Sequence, residues 1–344
     1  MSLTRRAAMI ALGATSLGLS AAHAADDEQQ LYAAAKKEGR VTWYSGFLTQ
    51  PIVESVGKAF TAKYPGIQVD ATKTTSQVAF QRVMQDINAG AVQADVFSST
   101  DASHMSYLIS KGKLVNYTPP NDSALVEGPR KFNGGGYYHV AWLGLVAIMY
   151  NTKHVKPEEA PKDWTDLTDP KWKNRIAFGS PNFSGLVGVW TVAMNEKYGW
   201  DYFQKLNKLN PLIGRSIDDA VAVLNSGERH VAICADGSAF RSMAAGNPLA
   251  VNYAKSFSLV DYSPAAILKG SHSPNGAKLF MNFLAGPEYS QILAKAYFQP
   301  LRGDVPPPKG ATPLSQLTLY QPSLEAIEKQ LPALRGKWRD TFGT

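Results

Sequence analysis

Three loops place small hydroxyl residues or glycine directly before a helix-period run: Ser45-Gly46-Phe47-Leu48-Thr49-Gln50, Ser99-Thr100-Asp101-Ala102-Ser103 and Gly179-Ser180-Pro181-Asn182-Phe183-Ser184-Gly185. Ser, Thr and Asp at such positions cap helices, each worth about 1 kcal/mol. The same positions leave backbone N–H groups free at the positive end of a helix, where an anion is favoured. Capping accounts for each loop alone; three of them at strand ends of one sheet would converge on a single cleft. Catalytic constellations are absent from the pattern. The histidines His23, His104, His139, His154, His230 and His272 show no metal-ligand spacing with Cys, Glu or each other. The single cysteine, Cys234, can form neither an intrachain disulfide nor a thiolate cluster. Asp236-Gly237-Ser238 lacks the frame of a nucleophile elbow, and Gly134-Gly135-Gly136 lacks the spacing of a dinucleotide or phosphate loop. A hydrolase with a site assembled from distant residues is the competing class. No catalytic residue, cofactor or metal site is expected.

The elements that must position these loops alternate in type. Val41-Thr42-Trp43-Tyr44 is rich in strand formers, and residues 52–64 have helical spacing behind Pro51. Pro65-Gly66 breaks that run before a second strand over 67–71. A helix over 77–89 and a strand over 95–98 follow. Strands alternating with helices of this length predict an α/β fold with parallel pairing and right-handed crossovers. In such sheets ligands sit beyond the carboxyl ends of the strands, where the three loops fall.

The amino terminus sets the compartment. Arg5-Arg6 precedes a short, small-residue apolar run to Leu19, and Ala22-His23-Ala24 then offers a cleavage site. This is the pattern of a secretory signal over 1–24, through either the twin-arginine or the general route. No cysteine lies near the cut, so a free periplasmic protein without a lipid anchor is expected. Removing Arg5 and Arg6 with no acid takes the formal charge from +7 to +5. No block of like charge appears, so no nucleic-acid partner is expected.

The segment Pro161-Lys162-Asp163-Trp164-Thr165-Asp166-Leu167-Thr168-Asp169-Pro170-Lys171-Trp172-Lys173-Asn174-Arg175-Ile176 resembles a signature of extracellular solute-binding proteins of the ferric-ion-binding type. Ala147-Ile148-Met149-Tyr150-Asn151-Thr152, Ala94-Asp95-Val96-Phe97 and Tyr297-Phe298-Gln299-Pro300-Leu301-Arg302-Gly303-Asp304-Val305 match the same pattern in order, so the likeness runs from about 41 to 305. The resemblance implies a two-lobed type II periplasmic binding fold, each lobe a mixed, mostly parallel sheet flanked by helices, closing by a hinge over a ligand. Lobe one would comprise 25–117 and 256–305, and lobe two 118–255. The segment 306–344 would dock on lobe two as a helix. The partners implied are a small ligand and the membrane subunits of an ABC importer, with the receptor itself a monomer.

The departures from that family bear on the ligand. Its ferric site uses two adjacent tyrosines, where this chain has Asp236-Gly237-Ser238; its histidine position falls on Phe47 and Leu48, and its carboxylate position on Thr100. A hard ferric ion wants anionic oxygen ligands that this set does not supply. Tyr137-Tyr138 lies far earlier and reads as aromatic strand residues. What persists is Ser184-Gly185, matching the family's anion-gripping helix start, with Arg215-Ser216 opening a helix towards the same cleft. An anionic organic ligand is therefore expected, phosphorylated, phosphonate or carboxylate. Asp101 and Asp236 would receive its hydroxyl or ammonium group or cap helices, and Tyr44, Trp142 and Tyr262 are candidate walls. A ferric ion or chelate held by other residues is the alternative within transport.

Overall fold

The computed structural model of the protein describes residues 28–215 and 219–344. The expected secretory signal and Ser216 lie outside them. After a first helix, α1 (28–38), strand β1 (Arg40–Ser45) buries Val41, Trp43 and Ser45 on one face. Helix α2 (Gln50–Lys63) opens on Pro51 and buries Val53, Val56 and Phe60, the 3.6-residue stripe. Strand β2 (Gln68–Lys73), helix α3 (Ser76–Asn88), strand β3 (Val96–Ser98) and helix α4 (Ala102–Ser110) complete the first alternation. Both β2 and β3 pair parallel to β1, as the alternation predicts.

A short helix, α5 (Glu127–Arg130), precedes the thirteen-residue strand β4 (His139–Asn151). Two 3-10 turns, Trp164–Thr168 and Pro170–Trp172, carry the signature segment into β5 (Ile176–Gly179). Then come α6 (Gly185–Tyr198), α7 (Asp201–Lys208), β6 (Leu212–Gly214), α8 (Asp219–Ser226), β7 (Val231–Ala235), α9 (Asp236–Ala244) and β8 (Leu249–Asn252). Strand β9 (Ser258–Ile267) returns, followed by α10 (Pro274–Leu284), α11 (Pro287–Lys295), β10 (Leu319–Tyr320) and α12 (Leu324–Phe342). The strand order is β2-β1-β3-β9-β4-β7-β5-β6, with β10 beside β9 and β8 beside β4. The fold is α/β with a mixed sheet, as expected, and its strands form one continuous path rather than two separate sheets.

That continuity comes from β4 and β9, which pair antiparallel and pass between two large apolar cores. Leu143 and Leu145 belong to the first core, with Trp43, Phe60, Phe280 and Tyr289. Val146, Ile148 and Tyr150 belong to the second, with Trp164, Phe178, Trp190 and Phe203. On β9 the change falls between Leu259 and Val260. Leu125, Val126, Phe132 and Val140 pack on the first core, so the change of core comes inside β4. Helix α12 lies against α6 and α7, with Trp338 fully buried beside Phe178, Trp190 and Phe203. Among the described residues no helix is long and apolar enough to cross a membrane.

Candidate functional site

The first two loops form one structure, and a residue between them in the chain joins them. Gly46 N–H donates to the Ser98 carbonyl at 2.9 Å. Ser76, one step past the Thr75 cap of α3, donates from Oγ to the Gly46 carbonyl at 3.0 Å and shares a 2.9 Å bond with Thr100 Oγ1. The Thr100 N–H donates back to Ser76 Oγ at 2.9 Å. A Cβ on Gly46 would sit 2.7 Å from Ser76 Oγ and 2.9 Å from the Ser98 carbonyl, so only glycine fits this approach.

Burial sorts the expected ligand residues. Ser45 is fully buried, and its Oγ donates to the Phe47 carbonyl at 2.9 Å. Ser99 is fully buried too; its Oγ meets His104 Nδ1 at 2.9 Å and accepts from Asp101 N–H at 3.0 Å. These two serine hydroxyls have protein partners and shape the loops. Thr100 is exposed. Asp101 caps α4, accepting from Ser103 N–H at 3.0 Å and Ser103 Oγ at 2.6 Å, with His104 Nε2 3.6 Å from its other oxygen. His104 is stacked on Phe80, and burial holds its pKa below the usual range against the pull of Asp101.

Beside this loop lies Asp261, which sequence reading missed. Ser98 pairs with Ala265 in the β3–β9 register, and Ser263 Oγ donates to the Ser99 carbonyl at 2.8 Å. Asp101 lies near enough for its charge to act on the Asp261 carboxyl. Asp261 faces Gly144 on β4, and burial pushes its carboxyl up to about 7, with the Asp101 charge adding to the effect. Tyr262 stacks on Phe132 at 5.0 Å and hydrogen-bonds Tyr138, which stands immediately before β4 rather than within a strand. The signal for Asp261 was its type: an acid inside an otherwise apolar strand is out of place unless it has a task.

On the second core, Ser184 caps α6, its Oγ accepting from Val187 N–H at 3.4 Å. Gly185 is the first helical residue, and a Cβ there would meet nothing within 4 Å. The first N–H groups of such a helix have no intrahelical partner. Arg215 comes to the same place: its guanidinium lies over the Phe183 ring at 5.0 Å, one residue before Ser184. Its backbone N–H donates to Asp219 Oδ2 at 2.8 Å. Phe183 is 62% exposed.

Asp236 stands elsewhere than expected. It is 2% exposed and the first residue of α9 rather than its cap. Its carboxylate accepts from Gly237 N–H at 2.8 Å, Tyr253 OH at 2.9 Å, and more weakly from Leu145 N–H and Gln299 Nε2 at 3.4 Å each. Burial pushes its carboxyl up to about 6 despite these donors. Its oxygens are thus taken up by protein donors where the two cores meet. Trp142 is half-buried against Phe298 in an edge contact of 5.6 Å. Tyr44 is buried with Arg82 over its ring at 4.8 Å, so it is core and not a cleft wall. No group of three or more His, Cys, Asp or Glu that could hold a metal occurs among the described residues.

A mixed sheet is shared by two apolar cores. The chain belongs to the bacterial extracellular solute-binding protein family, whose profile matches residues 47–291. It is 27% identical over 303 residues to a putative 2-aminoethylphosphonate-binding periplasmic protein of Salmonella typhimurium, covering 81% of this chain and 84% of that one. It is 25% identical over 310 residues to the spermidine/putrescine-binding periplasmic protein of the same organism, covering 85% and 82%. The iron-bound HitA structure from Pseudomonas aeruginosa superposes with a TM-score of 0.68 at 24% identity, covering 87% of this chain and 98% of that one. The type II periplasmic binding fold expected from the sequence is thereby established.

Proposed function

We propose that this solute-binding protein captures a small anionic organic ligand, bearing a phosphate, phosphonate or carboxylate group, and delivers it to an ABC importer. The observation that carries this reading is the placement of Arg215 beside the amino-terminal end of α6, both free to face an anion. Thr100 and Asp101 at the joined loops of the first core would receive the hydroxyl or ammonium end of the same ligand. The lobes are assigned by core: 28–145 with 260–305 as lobe one, 146–259 as lobe two, and α12 docked on lobe two. Ligand bridging both lobes favours the closed form by its higher affinity for it. The receptor acts as a free, non-enzymatic periplasmic monomer after removal of residues 1–24.

A thermal-shift screen of the mature chain tests this, because a ligand of the folded state raises the melting temperature by mass action. 2-Aminoethylphosphonate, sugar phosphates, small carboxylates, polyamines and ferric salts form the panel. Stabilisation by a phosphonate, phosphate or carboxylate is expected. A second reading, a purely cationic ligand, is favoured by the Asp261 carboxyl close to Asp101 and by the spermidine/putrescine-binding relative. Stabilisation by spermidine or putrescine with no response to any anion would establish that reading and end the first.

A further inference from the structure

Asp236 belongs to the second lobe by its helix and to the first by its partners. Helix α9 is anchored through Ala239 in an apolar cluster with Met149, Ala177, Cys234 and Leu249. The groups that bond the Asp236 carboxylate stand on the first core. Leu145 is part of that core, Tyr253 packs against it, and Gln299 is flanked in the chain by Phe298 and Leu301, which also pack there. The contact therefore spans the two bodies beside the Leu145–Val146 junction, where β4 changes core. The backbone closes on the same spot: a Cβ on Gly237 would lie 3.1 Å from the Tyr297 carbonyl and 3.2 Å from the Phe298 ring.

Gln299 gives this contact two arrangements. It is 1% exposed, and besides Asp236 its Nε2 donates to the Tyr253 phenol at 3.0 Å and the Thr312 carbonyl at 3.3 Å. Its buried Oε1 has no hydrogen-bond partner among the described residues. An ionised carboxylate only accepts, so it keeps the amide with Nε2 towards it and leaves Oε1 unsatisfied. A protonated carboxyl carries a donor. The amide can then turn over, Oε1 taking the Asp236 O–H while Nε2 leaves Tyr253 and Thr312. The other titratable groups nearby are turned to other partners or held apart. Cys234 on β7 is fully buried, Arg241 on α9 reaches Ser238 Oγ at 2.7 Å and the Phe298 ring at 5.8 Å, and Asp261 on β9 responds to Asp101.

We infer that Asp236 and Gln299 form a proton-operated latch across the hinge: the ionised carboxylate ties the lobes at the angle of this structure, and its protonation exchanges that tie and lets the lobes turn. Burial, which pushes the carboxyl up to about 6, brings the exchange within reach of mildly acidic surroundings. A ligand of either charge would meet the same latch, since no ligand group enters it. Where proton affinity differs by one pH unit between two lobe angles, their ratio changes about tenfold on protonation.

The test uses the mature full chain without ligand, carrying spin labels on Gln81→Cys and Gln204→Cys, exposed positions of α3 and α7; the native Cys234 is fully buried. Pulsed electron resonance reads the distance between lobes at pH 8 and pH 5. In the wild type the ratio of the pH 8 distance to all others should fall about tenfold at pH 5. Asp236→Asn places a permanent donor at the carboxyl and should show the pH 5 distribution at both values. Gln299→Met removes the amide and should do the same, which keeps the test decisive should Asp236→Asn fold poorly. Asp261→Asn should keep the wild-type response, and circular dichroism checks the folding of each. A wild-type distribution unchanged between pH 8 and pH 5, or a response that survives in Asp236→Asn or Gln299→Met, would overturn the latch. Since no ligand is present, either result leaves the anion reading to its own screen.

Discussion

Replacing Asp236 by asparagine should remove part of the pH dependence of this protein's stability between pH 4 and pH 7. The carboxylate is 2% exposed, and no cation lies among its partners. Burial raises its pKa from 3.8 to about 6, with bonds from Tyr253, Leu145, Gly237 and Gln299 offsetting part of that rise. Because the folded value is the higher one, folding takes up a proton at intermediate pH. The favourable contribution is complete below pH 4 and is lost as pH rises through 6. At 1.36 kcal/mol per pH unit, the whole displacement corresponds to about 3 kcal/mol, of which about 2 kcal/mol is lost between pH 4 and pH 7. Asp261, raised to about 7 by burial, adds in the same direction and remains in the variant. Urea unfolding at a series of pH values gives the free energy of each protein directly. Wild type should lose stability on going from pH 5 to pH 8, and D236N should lose less by about 1.4 kcal/mol. Superimposable pH profiles of the two would show that Asp236 is not held in a desolvated site, and the argument would fail.

Three further outcomes follow from particular contacts. Gly46→Ala forces a Cβ to within 3 Å of both Ser76 and the Ser98 carbonyl, and should cost at least about 2 kcal/mol in urea unfolding. The same variant should weaken ligand binding, since it separates the two joined loops. Tyr253→Phe removes the phenol donor from buried Asp236; it should cost about 1–3 kcal/mol at pH 8 and less at pH 5, where the acid is protonated. Trp338→Ala empties a fully buried site under α12 and should cost about 3–5 kcal/mol, with limited proteolysis then releasing the carboxy-terminal helix.

Much of the fold was legible because period and punctuation are local. Pro51 marked α2, Pro65-Gly66 its end, and the hydroxyl residues at 45, 99 and 184 did mark strand-to-helix turns. The site was legible only in part, because a residue type at a strand end does not reveal what surrounds it. Ser45 and Ser99 have the chemistry of ligand groups and spend it on neighbouring backbone and His104. Asp236 looks like an open acceptor until Tyr253 and Gln299, 17 and 63 residues away, close around it. Ser76 follows the same rule as the three chosen loops, yet it is the residue after the cap, so counting caps passed over it. The passage from one core to the other is not legible in β4, which is buried along almost its whole length, because only packing distinguishes Leu145 from Val146.

The shared β4–β9 ribbon also governs how the molecule comes apart. Thirteen-residue β4 gives its first half to one core and its second half to the other, without a loop between them. Loss of either core would strip the partners from half of a strand whose remainder stays paired, and would expose the Leu145–Val146 junction to water. Neither half can therefore melt as a private event. Calorimetry should record a single cooperative transition, and hydrogen exchange should find the amides of β4 and β9 among the last to open, on both sides of the junction alike.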